Sequence, residues 1–475
     1  MSIYKRFFKD TFIYGLAIVL PRLINFLLVR LHTDALPNKG FSENTEFYVV
    51  AAFFNVIFTY GLETSFFRFF SQHKDKNKVL STALISILVS TFFFGILLLG
   101  LREPISELLR INPDFYTLLV SITLIDTLVV IPFAYLRVTG KPVKFALIKF
   151  VNVFIIVLLN VLLLSENYSS ESLKNLFDVE QPVAYIFIAN LMASLVVLVL
   201  VLQYFFKVKL EFDKAIFKQM LKYGWPIMIA GIAFVLNENL DKWLLPIFNG
   251  KDVNGSYSAC YKLAVFMTLF IQAFRMGAEP FFFNEAKEKN AKTTYAFILK
   301  YFVIVGVFGL MLITIYIDWI RPLLIKKESY LIALDIVPII LLANLCLGIY
   351  HNLSVWYKLT DKTKYGMYIS IVGAMVTIVL NIIFIPKYSF MACAYATISA
   401  YGLMMILSYI IGRKHYPVPY DLKRISIYFI YGTLTAFLTY YAFDKHILTG
   451  SLFLLGYLLL IWFFEKHELK QILKK

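Results

Sequence analysis

The 475-residue chain is 60% hydrophobic and 16% charged, with a mean hydropathy of +0.73. A soluble core cannot hide that much apolar surface, so composition points to an all-α polytopic membrane protein. The formal charge of +16 reads first as a topology signal rather than as affinity for nucleic acid. Cys260, Cys346 and Cys393 are scattered, with no CxxC pair and no His/Cys metal spacing, which argues against a disulfide framework or a zinc site.

In chain order, Lys5, Arg6 and Lys9 precede an apolar run that contains Arg22 and lacks a small-residue cleavage site, so it reads as a retained first helix. Runs of about 20 apolar residues, each enough to cross ~30 Å of hydrocarbon, then fall at about 11–33, 45–68, 79–101, 115–136, 143–164 and 183–206. Six more lie at about 223–248, 255–281, 295–320, 331–357, 365–386 and 388–412, and a final two at about 424–443 and 446–464. With fourteen spans both termini share a side. Of the 46 Lys and Arg residues, 31 fall in segments on the N-terminal side and 11 on the other, the bias expected if both termini are cytoplasmic. Arg22, Lys242, Lys262 and Arg275 remain inside spans.

Two stretches repeat. Lys5, Phe8, Lys9, Tyr14 and Gly15 match Lys214, Phe217, Lys218, Tyr223 and Gly224, and GLETSFF (61–67) matches GAEPFFF (277–283). The copies relate spans 1–6 to spans 7–12 in the same orientation, a parallel repeat. The expected organisation is therefore an N-lobe over 1–207, a C-lobe over 208–413 and a C-terminal pair of spans with a basic tail over 414–475. A basic amphipathic lead-in helix at about 210–222 is expected to lie on the membrane surface. Repeated lobes of this kind suggest a transporter with its path between them.

Charges inside spans are costly and face a cavity or each other. Arg22 is on span 1, Glu63 on span 2, Glu238, Asp241 and Lys242 on span 7, and Lys262, Arg275 and Glu279 on span 8. These are the first two helices of each lobe, and they read as the lining of a central cavity. Asp126, on span 4, falls outside this set. Glu238 and Lys242 are spaced i, i+4 and read as a pair, as do Arg275 and Glu279. Asp241 has no obvious cation on its own helix, and Arg22 is its expected cross-lobe partner. Asn25, Asn55, Asn152, Asn160, Asn190, Asn344 and Asn381 read as interhelical hydrogen-bond partners rather than ligands. There is no G-x-x-x-x-G-K-[ST] phosphate loop, so the chain is not expected to hydrolyse ATP. The longest connection on the far side, about 165–182, is short for a membrane glycosyltransferase or polymerase.

The segments KYGWPIMIAG, LDKWLLPIFNG and GSYSACYKLAVF, within about 222–283, resemble the multidrug/oligosaccharidyl-lipid/polysaccharide flippase superfamily, and in particular its bacterial polysaccharide-unit (Wzx-type) branch. Asp241–Lys242 stands where that family often has an Asp–basic pair. Gly255, Tyr257, Ser258, Tyr261 and Lys262 match its G-x-Y-S-x-x-Y-[KR] stretch. The resemblance implies alternating access and an undecaprenyl-diphosphate-linked oligosaccharide substrate at the bacterial inner membrane. The lipid tail would stay in the bilayer. The expected substrate-binding cations are Arg22, Lys242, Lys262 and Arg275. Glu63, Glu238, Asp241 and Glu279 are the acidic members, candidates for holding a coupling cation, H+ or Na+. No cofactor, metal, nucleic acid or enzymatic step is expected. The partners would be membrane lipids and polysaccharide polymerase or chain-length machinery, and the protein would act as a monomer. The alternatives are a cation-coupled drug or small-molecule antiporter of the same superfamily and, behind it, a membrane glycosyltransferase or polymerase.

Overall fold

The computed structural model describes residues 23–473 except 25, 178, 208, 210, 287, 289, 361 and 363. Among the described residues, eleven helices are long and apolar enough to cross a membrane, or twelve when the bent pair Lys251–Leu263 and Val265–Arg275 counts as one span. The longest, Lys364–His415, is two helices joined at Ser389, whose φ of 52° and ψ of −137° break the helical path. Every expected span from the second to the fourteenth thus falls on helix. The first, including Arg22, lies largely outside the described residues.

By contact the chain divides into two compact units, Met1–Ser258 and Ala259–Lys475. The repeat places a boundary near residue 207, whereas contact groups the helix Lys214–Asn249 with the first unit. Two features draw it there. Gly61, with φ +71°, sits where the helix Asn38–Thr59 gives way to Leu62–Gln72. A Cβ at Gly61 would overlap the Gly224 carbonyl, and one at Gly224 would lie 2.8 Å from the Tyr60 carbonyl oxygen. Two glycines therefore let the backbones touch. Ser65 Oγ adds a hydrogen bond across the contact to the Met220 carbonyl at 2.9 Å.

The amphipathic lead-in is not a separate surface element. It runs without a break into Lys214–Asn249, a 36-residue helix that contains Pro226 and Pro246. Asp213 caps it, accepting from the backbone amides of Ala215 at 2.9 Å and Ile216 at 3.0 Å. Ile216 and Met220 are buried in a cluster with Leu62, Phe66, Phe70, Leu84 and Ile131. Ile216 and Met220 are thus covered by protein, while Lys214, Lys218 and Lys222 stay exposed.

In the second unit the C-terminal helices Leu422–Phe437 and Ile447–Leu473 pack on Ala291–Ile315. Lys300 binds Glu465 at 2.7 Å and Glu468 at 2.6 Å. Glu465, with no exposed side-chain surface, also accepts from the Tyr428 hydroxyl at 2.9 Å. Burying a carboxylate in this way is tolerable only because a cation and a hydroxyl complete its shell.

Candidate functional site

The first unit holds two arrangements of intramembrane charge. The first is centred on Asp241. Asp241 and Lys242 lie late in the Lys214–Asn249 helix, their side chains only 5% and 10% exposed. Lys242 Nζ stands 3.2 Å from Asp241 Oδ1 and donates to the Glu238 backbone carbonyl at 2.7 Å. The Tyr257 hydroxyl donates to Asp241 Oδ2. This differs from the expected Glu238–Lys242 side-chain pair: Lys242 takes the Glu238 carbonyl, and its charge goes to Asp241. The buried Asp241 carboxylate needs the cation more than the partly exposed Glu238 does. Tyr257 reaches Asp241 because the chain turns at Gly250, φ +89°, and re-enters as the helix Lys251–Leu263.

Polar contacts with the N-terminal half of Asn38–Thr59 fix that turn. Asn38 Nδ2 donates to Ser256 Oγ at 2.8 Å, Asn254 Nδ2 donates to Ser42 Oγ at 2.8 Å, and Lys251 binds Glu43 at 3.1 Å. Gly255 sits against the Asn38 carbonyl so closely that any Cβ would overlap it. The glycine of the G-x-Y-S-x-x-Y-[KR] stretch thus permits a helix contact, and its first tyrosine orients the aspartate.

The second arrangement is a cavity of about 580 Å³ within the first unit, formed by helices Asn38–Thr59, Leu62–Gln72, Pro113–Val138, Pro142–Leu164 and Val183–Val201. Helical spacing aims one face of each helix inward: Asn55, Thr59 and Glu63; Asp126, Val130, Phe133 and Arg137; Phe145, Lys149, Asn152 and Ile156; Asn190, Ser194 and Val197. Glu63 and Arg137 form an ion pair at 3.0 Å, both about two-fifths exposed, at one end of the cavity. Asp126, in mid-helix, accepts from Ser194 Oγ at 2.7 Å. Asn190 donates to the Tyr48 hydroxyl at 2.7 Å. Lys149 stands 4.4 Å over the Phe133 ring, and among the described residues it has no hydrogen bond or ion pair. Asn55 and Asn152 likewise make no side-chain hydrogen bond among the described residues. They depart from the expected role of interhelical partner, which Asn190 and Asn160 do fill, Asn160 through His32 at 2.8 Å while its amide nitrogen donates back to Ile156 on its own helix.

The structure therefore distributes the expected site residues unevenly. Glu63 lines the cavity, and Glu238, Asp241 and Lys242 cluster with Tyr257. Arg22 lies outside the described residues. Lys262, half-buried, and Arg275 belong to the second unit. Arg275 Nη1 approaches His351 Nε2 at 3.5 Å. Glu279 is on the helix Val265–Glu285, and its side chain lies outside what is described. Sequence reasoning missed Asp126, Arg137 and Lys149 as cavity residues. Both basic residues are among the 31 that the alternation of spans assigns to segments on the N-terminal side. The available signal was helical spacing: Lys149 precedes Asn152 by three residues on a helix that begins at Pro142.

A family model described as polysaccharide biosynthesis protein matches residues 7–284, more than half of the chain. The chain belongs to that family. A second model, described as MatE, matches residues 226–383. No curated protein matches. Among solved structures, the chain is similar to the lipid II flippase MurJ in an inward closed conformation, with a TM-score of 0.72 at 16% identity, covering 96% of this chain and 99% of that one. It is also similar to an inward-facing multidrug resistance transporter of the MATE family (TM-score 0.67, 12% identity, covering 87% and 98%). An outward-facing form matches with a TM-score of 0.61 at 14% identity, covering 89% and 96%. At such identities the likeness shows the fold alone, one shared with the lipid II flippase and the multidrug transporters.

Proposed function

We propose that the protein is a flippase that moves lipid-linked oligosaccharide units across the bacterial inner membrane by alternating access, the lipid being undecaprenyl diphosphate and the product surface polysaccharide such as O-antigen. The observation that carries this reading is the cavity in the first unit. It is wide enough for more than an ion, lies at intramembrane depth, and offers Asn55, Asn152 and Lys149, whose side chains make no hydrogen bond or ion pair among the described residues, inside a chain of the polysaccharide biosynthesis family. The protein would catalyse no bond change. Arg22, Lys242, Lys262 and Arg275 remain the proposed cations for the head group, and Glu63, Glu238, Asp241 and Glu279 the proposed acidic partners of a coupling H+ or Na+. Asp241 already engages Lys242, so a head group would have to compete for it. Both termini would be cytoplasmic. The protein would work as a monomer beside a polymerase or chain-length machinery.

The match of residues 226–383 to MatE favours a second reading, a cation-coupled antiporter of small molecules. Deleting the gene separates the two. A flippase loss accumulates lipid-linked units on the cytoplasmic leaflet and depletes surface polysaccharide. Normal surface polysaccharide in a strain with no second flippase, together with altered drug tolerance, would favour the antiporter.

A further inference from the structure

We propose that the cavity of the first unit is a subsite for an uncharged saccharide ring of the transported unit and not for its diphosphate. This rests on the flippase reading above. The lining carries two carboxylates and two cations, and one pair, Glu63–Arg137, is already closed at 3.0 Å. A diphosphate needs cations in excess, and Asp126, in the middle of the cavity, would repel it. What the balanced lining does provide is mixed hydrogen-bonding capacity. Lys149 donates, Asp126 retains an acceptor oxygen beyond the one given to Ser194, and Asn55 and Asn152 each offer a donor and an acceptor that no described residue uses.

That set matches neighbouring hydroxyl groups, each of which both donates and accepts. The remaining wall is apolar, with Val130 and Phe133 among its members, and suits the C–H faces of a pyranose. The volume of about 580 Å³ falls in the range of roughly 300–1,000 Å³ typical of small-molecule sites. It leaves room for a short oligosaccharide and not for a polyprenyl chain. The polar atoms of Asn55, Asn152 and Lys149 open onto the cavity rather than being sealed in its wall, so a ligand that enters meets donors and acceptors no described residue uses. Lys149 stays beside this cavity, 4.4 Å over the Phe133 ring, with no acidic side chain within ion-pair distance among the described residues.

The test uses the full-length protein in membrane vesicles. The three native cysteines are buried, so Asn152→Cys supplies a reactive thiol in the cavity. Its labelling by a small polar maleimide is measured with two probes: the repeat-unit oligosaccharide released from the host's lipid-linked pool, and inorganic pyrophosphate. The oligosaccharide is expected to slow labelling, and pyrophosphate is not. In a strain lacking its flippase, Asn55→Leu and Lys149→Met should each lower export about tenfold, the size expected when hydroxyl partners are lost. Export of a lipid-linked unit truncated to its first sugar should change less, and membrane abundance should be unaltered. Protection by pyrophosphate, protection that disappears when sugar carboxyl groups are reduced, or no protection by either probe would each overturn the assignment. If the wild-type chain itself fails to restore export, the flippase reading falls, and this subsite falls with it.

Discussion

Removing Lys242 should destabilise the protein through the charge it leaves behind. In Lys242→Met the Asp241 carboxylate keeps the Tyr257 hydroxyl and loses the only cation within ion-pair distance among the described residues. At 3.2 Å the Coulomb energy is about 5 kcal/mol with an effective dielectric constant of ~20. Desolvation offsets much of that in the intact pair, so the net worth of the pair is small. Breaking it by removing one partner still costs about 3–5 kcal/mol, because the remaining charge stays buried. Asp241→Asn in the same background should recover most of the loss. The assay is thermal unfolding of the purified protein in detergent, run as a double-mutant cycle of wild type, Lys242→Met, Asp241→Asn and the double variant. A coupling energy of about 2 kcal/mol or more supports the reasoning. Equal, additive losses in both single variants would refute it and would mean that Lys242 faces water rather than Asp241.

Three further outcomes are expected. Tyr257→Phe should cost about 1–3 kcal/mol in the same assay, since it strips a donor from a buried carboxylate; a neutral result would place the hydroxyl elsewhere. Gly61→Ala should reduce folded yield or transport, because its Cβ overlaps the Gly224 carbonyl and its φ is +71°; Gly140→Ala, which has φ +65° but open space around it, should be milder. The Asp213 carboxyl is held below its ordinary range, first by the Ile216 amide. Its contribution to stability is therefore present above the unfolded value of 3.8 and lost as pH falls through the lower folded value. Asp213→Ala should be less stable than wild type at neutral pH, and the difference in thermal midpoint should vanish in acid.

How much of this was legible in the sequence depends on which force set each feature. Apolar run length is imposed by the bilayer, so most later spans could be placed to within about five residues, while the helices of the second and seventh start well before the apolar runs, at Asn38 and Lys214. The lead-in helix was misplaced because an amphipathic stripe cannot tell lipid from protein. Ile216 and Met220 are buried by Phe66 and Leu84, a tertiary fact. The importance of Asp241 was visible because a carboxylate in an apolar helix needs an explanation. Its partners were not, since Tyr257 lies sixteen positions on and reaches it only through the turn at Gly250. Loop counting hid Lys149: a lysine seven positions into a helix counts as a loop cation, yet its side chain lines the cavity. Asp126 was noticed and set aside because the repeat directed attention to the first two helices of each lobe.

The central claim is that the protein translocates lipid-linked oligosaccharides, and reconstitution tests it most directly. Purified protein in liposomes containing fluorescently labelled undecaprenyl-diphosphate oligosaccharide from the host is followed by a membrane-impermeant quencher. Protein is expected to raise the fraction of label that crosses leaflets, the Asn55→Leu and Lys149→Met variants to slow the crossing, and drug efflux to be absent from the same vesicles. Crossing no faster than in protein-free liposomes, under conditions where the protein is folded and correctly inserted, would contradict it.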